Sequence, residues 1–183
     1  MRIIAGQHRG LALADVGAGD ASAHLRPTSD RVRESLFNML MKYGMPNGAR
    51  VLDLFAGTGA LGLEALSRGA THVTYVENGR VAQKLIVDNL RKARREADAK
   101  LLKVDATKLP PAPAPCDLVF LDPPYAKGLG EQALAAAKAQ GWVADDALVV
   151  WEESAMIAPP QGFTLQDQRQ FGGTTISFLK HAG

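Results

Sequence analysis

The sequence has few of the residues that cross-link small domains or bind metals in them. Its 183 residues include one cysteine, Cys116, so no intramolecular disulfide can form and a reducing, cytoplasmic location is expected. No apolar run approaches the roughly 18 residues of a membrane span, and the first residues lack the apolar segment of a signal peptide. No metal site is expected, because no metal-ligand spacing relates the four histidines, His8, His24, His72 and His181.

The composition is otherwise ordinary for one globular domain. Apolar residues make up 46% and charged residues 22% of the chain, and the net charge is +2. We expect residues 1–44 to form a hairpin-and-helix extension packed on a main domain at residues 45–183. The charge is uneven, because residues 80–103 carry eight lysines and arginines against three acids. This stretch indicates either a phosphate-binding surface or a solvated helix face.

Local signals predict the elements of the N-terminal extension. Two short strands are expected around a turn at residues 6–10. Residues 15–24 are rich in glycine, alanine and serine, which predicts a flexible loop. Ser29 lies in a run of capping residues, and the apolar spacing after it predicts a helix that ends near Gly44.

Strands and helices alternate from residue 51 onward. The predicted strands are short apolar or β-branched stretches at residues 51–55, 72–77, 99–105, 116–122 and 147–153. Helical patterns separate them, which is typical of a doubly wound α/β fold with a mostly parallel sheet. Two further β patterns flank Gly172 and Gly173 and predict a terminal antiparallel hairpin. A dinucleotide-binding dehydrogenase domain does not usually end in this way.

The stretch DLFAGTGALG, residues 53–62, joins the first of these strands to a helix. Gly57, Gly59 and Gly62 match G-x-G-x-x-G, in which glycines let a ligand approach the backbone and the helix N-terminus receives an anion. Glu77 ends the next strand, where a carboxylate can accept hydrogen bonds from ribose hydroxyls. The pattern fits NAD and S-adenosylmethionine equally, and a tight structural turn is the alternative.

Two aspartates lie near the same edge of the predicted sheet. Asp53 is expected either to orient the glycine loop or to meet the ligand's amino group. Asp105 could accept a hydrogen bond from an adenine amino group while the Ala106 N–H donates to a ring nitrogen. A turn-capping role is the alternative for Asp105.

The stretch VFLDPPY ends the fourth strand on a carboxylate, two prolines and an aromatic ring. Each proline holds the residue before it in extended geometry, so Asp122 and a proline carbonyl, that of Pro123, become fixed acceptors. Two acceptors suit the two hydrogens of an exocyclic base amine, and Tyr125 can stack on the base. The arrangement would aim the nitrogen lone pair at a methyl donor. This motif therefore favours S-adenosylmethionine over NAD.

Together these motifs resemble class I S-adenosylmethionine-dependent methyltransferases. The closer resemblance is to the RsmD family, whose bacterial members methylate N2 of a guanine in 16S ribosomal RNA. It rests on MRIIAGQHRG, LRPTSDRVRESLFNML, VLDLFAGTGALGLEALSRGA, VENGRVAQKLIVDNL and LVFLDPPY, which span residues 1–125. It implies a seven-stranded Rossmann-like sheet, S-adenosylmethionine as cofactor, and a cytoplasmic monomer acting on 16S rRNA within the small subunit or its assembly intermediate.

The resemblance also implies roles for individual residues. Expected cofactor contacts are Asp53, Ala56, Gly57, Gly59, Glu77, Asp105, Ala106 and Asp122. Expected contacts with the target base are Asp122, Pro123, Pro124 and Tyr125. The N-terminal hairpin and the residues that follow it are expected to help form the RNA or cofactor side of the cleft. The expected RNA contacts are Arg2, Arg9, Arg26, Thr28, Arg31 and Arg33.

Two other functions compete with this interpretation. A DNA N6-adenine methyltransferase shares the DPPY motif, but the chain shows no separate target-recognition domain. An NAD-dependent dehydrogenase, or a nucleotide-binding module without chemistry, would explain the three glycines. The dehydrogenase or nucleotide-binding hypothesis would not explain Asp122 to Tyr125 or the terminal hairpin.

Overall fold

The structure is a computed structural model that describes residues 1–15 and 28–183. Arg26 and most of the loop predicted at residues 15–24 lie outside the described residues. The α-helices within these ranges are α1 (Asp30–Met41), α2 (Ala60–Ser67), α3 (Arg80–Ala93) and α4 (Leu129–Ala139). The strands are β1 (Arg50–Leu54), β2 (His72–Val76), β3 (Ala99–Leu102), β4 (Cys116–Leu121), β5 (Val143–Glu153), β6 (Phe163–Phe171) and β7 (Thr174–His181).

The seven strands form one sheet in the order β3-β2-β1-β4-β5-β7-β6. The first five run parallel, and β7 lies antiparallel between β5 and β6. The predicted α/β fold, doubly wound, mostly parallel and ending in an antiparallel hairpin, is confirmed. No helix in the described ranges is long and apolar enough to cross a membrane.

Alternate residues of the central strands enter two separate cores. Val51 and Leu118 pack on one face of the sheet, in a cluster with residues of α1, α2 and α3. Leu52 and Val119 pack on the other face, in a cluster with residues of α4. Strands covered on both faces must be apolar at nearly every position. This explains why short apolar runs in the sequence were enough to predict these strands.

Helix α1 belongs to the first of these cores. Ser29 is its N-cap, and the side-chain oxygen accepts a hydrogen bond from the Val32 N–H at 3.3 Å. Leu36 and Phe37 are buried, and the Phe37 ring lies 5.7 Å from the Phe120 ring of β4. The segment before the main domain is thus packed directly on the sheet.

The predicted N-terminal strands form a short antiparallel pairing. The Ile3 N–H donates to the Leu11 carbonyl at 3.0 Å, and the one bridge outside the named strands in the described residues joins Arg2 to Ala12. The pairing is tied to α2, because the Ile4 N–H donates to Oε1 of buried Glu64 at 2.8 Å. This anchor explains why so short a pairing can hold its place.

Candidate active site

The carboxyl ends of the parallel strands bring the predicted site residues to one edge of the sheet. The strand order reverses between neighbours β1 and β4, and ligands of doubly wound sheets bind at such a reversal. The glycine loop follows β1, Glu77 follows β2 and Asp122 follows β4. The structure therefore places the glycine motif and the DPPY motif side by side at the strand-order reversal, where sheets of this kind form their ligand crevice.

The glycine loop has the backbone that its sequence predicts. Gly57 and Gly59 have φ angles of 59° and 80°, a region that glycine adopts without steric cost. Gly62 packs against the Tyr75 ring, and a β-carbon there would overlap ring atoms. Helix α2 can therefore begin close to the sheet, with its N-terminus at the ligand edge.

Asp53 is a buried carboxylate beneath this loop. It is 2% exposed, and its Oδ2 accepts a hydrogen bond from the Gly62 N–H at 3.1 Å. Burial raises the pKa of Asp53 well above its ordinary value, the Gly62 N–H opposes the rise, and the Glu77 carboxylate adds to it. Of the two roles expected for Asp53, the hydrogen bond from Gly62 corresponds to orienting the glycine loop.

Glu77 holds the loop from the second strand. Its Oε2 accepts from the Gly57 N–H at 2.9 Å, and its Oε1 accepts from the Gly79 N–H at 2.8 Å. Each carboxylate oxygen keeps a further lone pair, so ribose hydroxyls can still be accepted there. Nearly buried Ala56 is fixed in the same loop by donating its N–H to the Val76 carbonyl at 3.1 Å.

Asp105 caps a turn, which was the alternative to the adenine contact expected from the sequence. Its Oδ1 accepts from the Thr107 N–H at 2.8 Å and from the Thr107 hydroxyl at 2.7 Å. These bonds lower the pKa of Asp105, and β3 ends at Leu102, three residues before the predicted end. Ala106 beside it is buried. Contact with an adenine through the other oxygen, Oδ2, stays a prediction.

The four residues of the DPPY turn differ in exposure. Pro123 is buried and Pro124 exposed, while Asp122 and Tyr125 are partly accessible. Ala126 has a φ of 57°, an uncommon value for alanine, so the chain turns sharply directly after the tyrosine. The motif therefore leaves an acid and a ring open at the end of β4.

A hydrogen-bond cluster that the sequence analysis did not predict fixes the tyrosine. The Tyr125 hydroxyl donates to Oε1 of Glu152 at 3.1 Å and lies 3.0 Å from the Thr174 hydroxyl. The Thr28 hydroxyl donates to Oε2 of Glu152, also at 3.1 Å. Glu152, which is 9% exposed, thus joins the DPPY turn to the N-terminal segment.

Glu152 also shapes the electrostatics of the site. Leu121 of β4 pairs with Trp151 of β5, which places Asp122 beside Glu152 on neighbouring strands. Burial raises the pKa of Asp122 well above its ordinary value, and nearby carboxylates, Glu152 first, raise it further. Burial raises the pKa of Glu152 as well, and it raises that of Tyr125 to about 12. The crevice therefore contains two adjacent acids that compete for ionisation.

One signal for Glu152 was present in the sequence. The run ALVVWEE ends the fifth predicted strand on two acids, at the same sheet edge as Asp122. Applying the edge rule to that strand would have found it. Thr174 gave no such signal, because only the pairing of β7 with β5 and β6 brings it to the tyrosine.

The arginines expected at the RNA side have different surroundings. Arg9 and Arg31 are exposed, and Arg2, 69% exposed, lies 3.7 Å from Asp30. The prediction is wrong for Arg33, whose residue exposure is 0%. Its guanidinium pairs with Asp30 at 3.0 Å and Glu64 at 3.6 Å and donates to the Arg2 carbonyl. Arg33 therefore anchors the extension from inside and cannot reach RNA in this arrangement.

Comparison with known proteins identifies the family. The family model described as Conserved hypothetical protein 95 matches residues 1–180. The chain belongs to this family. The chain is 38% identical over 176 residues to "Ribosomal RNA small subunit methyltransferase D" of Escherichia coli (strain K12), covering 94% of this chain and 85% of that protein. The protein of the same name from Haemophilus influenzae is 36% identical over 178 residues, covering 94% and 89%.

A solved structure supports both family and fold. "Putative methyltransferase yhhF from Escherichia coli" superposes with a TM-score of 0.85 at 36% identity, covering 99% of this chain and 97% of that one. The resemblance to the RsmD family drawn from the sequence motifs is confirmed by these matches. The assignments of individual site residues stay predictions.

Proposed function

We propose that this protein transfers a methyl group from S-adenosylmethionine to N2 of a guanine in the 16S rRNA of the small ribosomal subunit. The observation that carries the proposal is the Asp122–Tyr125 turn beside a glycine loop at the strand-order reversal. The same chain is 36% and 38% identical to two proteins named ribosomal RNA small subunit methyltransferase D. S-adenosylmethionine-dependent rRNA methylation follows from the family, and guanine N2 is the further step.

The residues around the glycine loop suit S-adenosylmethionine. Gly57 and Gly59 admit a close ligand, the remaining lone pairs of Glu77 suit ribose hydroxyls, and Oδ2 of Asp105 and the N–H of Ala106 suit adenine. When bound, the cofactor supplies an electrophilic methyl group on a sulfonium. An NAD-dependent reaction would not explain the DPPY turn.

The DPPY turn can prepare a poorly nucleophilic amine. The amine lone pair of a nucleobase is delocalised into its ring, so the nitrogen must be pyramidalised before it can attack. The Asp122 carboxylate and the Pro123 carbonyl can each accept one N–H, and Tyr125 can stack on the base at a gain of about 1–3 kcal/mol. Positioning and fixed dipoles then lower the barrier. The proton released from the product nitrogen goes to Asp122 or to water.

The second acid favours guanine over adenine. Guanine presents an N1–H donor beside its N2 amine, whereas adenine presents an N1 acceptor beside its N6 amine. Each oxygen of Glu152 accepts one hydroxyl and keeps a further lone pair. A carboxylate next to Asp122 can therefore accept the guanine N1–H and would repel the adenine N1. This asymmetry supports guanine as the target.

The organisation of the chain fits this role. We assign residues 1–44 to an extension and residues 45–183 to the methyltransferase domain. The two share one core, since Leu36 and Phe37 cluster with Val51 and Leu118. We expect the protein to act as a monomer in the cytoplasm.

Methyl mapping on small subunits that lack the modification tests the function. With labelled S-adenosylmethionine we expect one methyl group per subunit, and mass mapping should place it on guanine N2. Methylation of DNA adenine instead would favour the rival enzyme. Calorimetry with S-adenosylhomocysteine and with NAD separately tests the cofactor, and binding of NAD alone would overturn the proposal.

A further inference from the structure

A basic cavity lies far from the DPPY turn, at the opposite edge of the sheet. It has a volume of about 430 Å³, and its lining includes Arg9 from the N-terminal turn and Lys92 and Arg94 from the end of α3. α3 begins at Arg80, near the ligand edge, and its 14 residues span about 21 Å at 1.5 Å per residue. The end of α3 that lines the cavity therefore lies roughly 20 Å along the helix from the end near the ligand edge.

The cavity is held in a fixed shape. The Gln7 N–H donates to the Ser67 carbonyl at 2.8 Å and the His8 N–H to the Ser67 hydroxyl at 2.9 Å, which fastens the N-terminal turn to the end of α2. Arg95 closes the other side, donating to the Leu66 carbonyl at 3.1 Å and pairing with Asp98 at 2.7 Å. The lining cations are thus presented on an ordered surface.

Three of these cations have no counter-charge among the residues that the structure describes. Within residues 1–15 and 28–183, no ion pair or side-chain hydrogen bond involves the exposed side chains of Arg9, Lys92 and Arg94. Arg95, by contrast, is paired with Asp98 and 14% exposed. The nearby acid Glu96 does not line the cavity. Cations at the C-terminal end of a helix interact favourably with the helix dipole, which could account for Lys92 and Arg94. It does not account for Arg9, which belongs to the N-terminal turn.

We propose that this cavity binds phosphates of the RNA substrate at a second point of contact, remote from the target guanine. The inference rests on the proposed function. Unpaired lysines and arginines in a concave, preformed surface suit a phosphate backbone. A contact about 20 Å from the methylated base is beyond the reach of a hairpin of only a few base pairs, whereas a folded ribosomal subunit can make it. The contact also gives a role to Lys92 and Arg94 of the basic stretch at residues 80–103.

Kinetics of a triple neutral variant test this contact. We expect Arg9→Gln/Lys92→Gln/Arg94→Gln to raise KM for unmethylated small subunits about tenfold or more. The slope of log KM against log salt concentration should fall by about three, one per lost phosphate contact. The kcat and the affinity for S-adenosylhomocysteine should be unchanged, because the cavity does not touch the crevice. KM for a short RNA that contains only the target stem-loop should also be unchanged.

The matched control removes three cations from the far side of the sheet: Lys138→Gln/Arg169→Gln/Lys180→Gln. A wild-type KM and salt slope in the cavity variant would overturn the proposal, and so would an equal change in the control. If the triple variant raised KM for the stem-loop RNA as much as for the subunit, or lowered kcat, the contact would not be remote from the target base. Failure of the proposed function is distinct, because the wild-type protein would then leave the guanine unmethylated.

Discussion

Replacing Glu152 by glutamine tests whether this residue recognises the guanine. The matched substrate is an RNA whose target guanine is replaced by 2-aminopurine, which keeps the amine at C2 but has an acceptor at N1. A hydrogen bond to a charged acceptor contributes about 1.5–3 kcal/mol. At 1.36 kcal/mol per factor of ten, the wild-type enzyme should prefer guanine by about 10- to 150-fold in kcat/KM.

Glu152→Gln should reduce this preference to about threefold or less, because the glutamine amide can donate to N1 of 2-aminopurine. The assay is competitive methyl transfer to the two RNAs under identical salt and pH. The matched control is Glu153→Gln, which removes the next acid along β5. Its carboxylate accepts from the Ser154 N–H at 2.7 Å, and its removal should leave the preference unchanged.

Equal slowing of the two substrates would contradict a contact between Glu152 and N1. If Glu152→Gln slows both substrates equally, the residue acts only through the Tyr125 hydroxyl that it accepts at 3.1 Å. Tyr125→Phe would then reproduce the same loss. If Glu152 contacts N1 instead, Tyr125→Phe should lower both rates and leave the preference as in the wild-type enzyme.

Three further predictions concern the catalytic acid and the glycine loop. Asp122→Asn should lower kcat by about 10²–10³-fold while calorimetry finds S-adenosylhomocysteine affinity within a few-fold; equal losses would mean that Asp122 serves the cofactor or the fold. Because Glu152 partly raises the pKa of Asp122, Glu152→Gln should lower the pKa of Asp122. The acid limb of the pH profile of kcat/KM should then move to lower pH, and a limb that does not move would contradict this. Gly62→Ala should cost about 1–3 kcal/mol of unfolding free energy in denaturant titrations, because the new methyl overlaps the Tyr75 ring, whereas Gly173→Ala, in open space, should cost far less.

The fold could be predicted from local patterns because each of them had a single physical cause. Strands such as β4 are covered on both faces, so their sequences are apolar at nearly every position. Ser29 capped α1 where its hydroxyl could meet the Val32 N–H. The terminal hairpin followed from Gly172 and Gly173. Each of these signals is local: the residues that indicate the element lie in it or next to it in the sequence.

The site was only partly predictable, because several contacts depend on long-range packing. Arg33 looked like a surface cation within a basic segment, yet its buried partner Glu64 lies 31 residues away in the chain. Its nearer partner, Asp30, is only three residues away, but such a pair also forms on exposed helix faces and does not indicate burial. Asp105 could serve a cofactor or a turn on sequence grounds, and the hydrogen bonds from Thr107 are a property of the turn itself.

The terminal hairpin is more than an end to the sheet. β7 inserts between β5 and β6, which brings Thr174, its first residue, to the Tyr125 hydroxyl at 3.0 Å. The same hydroxyl donates to Glu152 of β5, the strand that β7 covers. A parallel sheet that stopped at β5 would leave the tyrosine one partner fewer and β5 an open edge. The feature that set this chain apart from a dehydrogenase therefore also helps to hold the ring on which the base is proposed to stack.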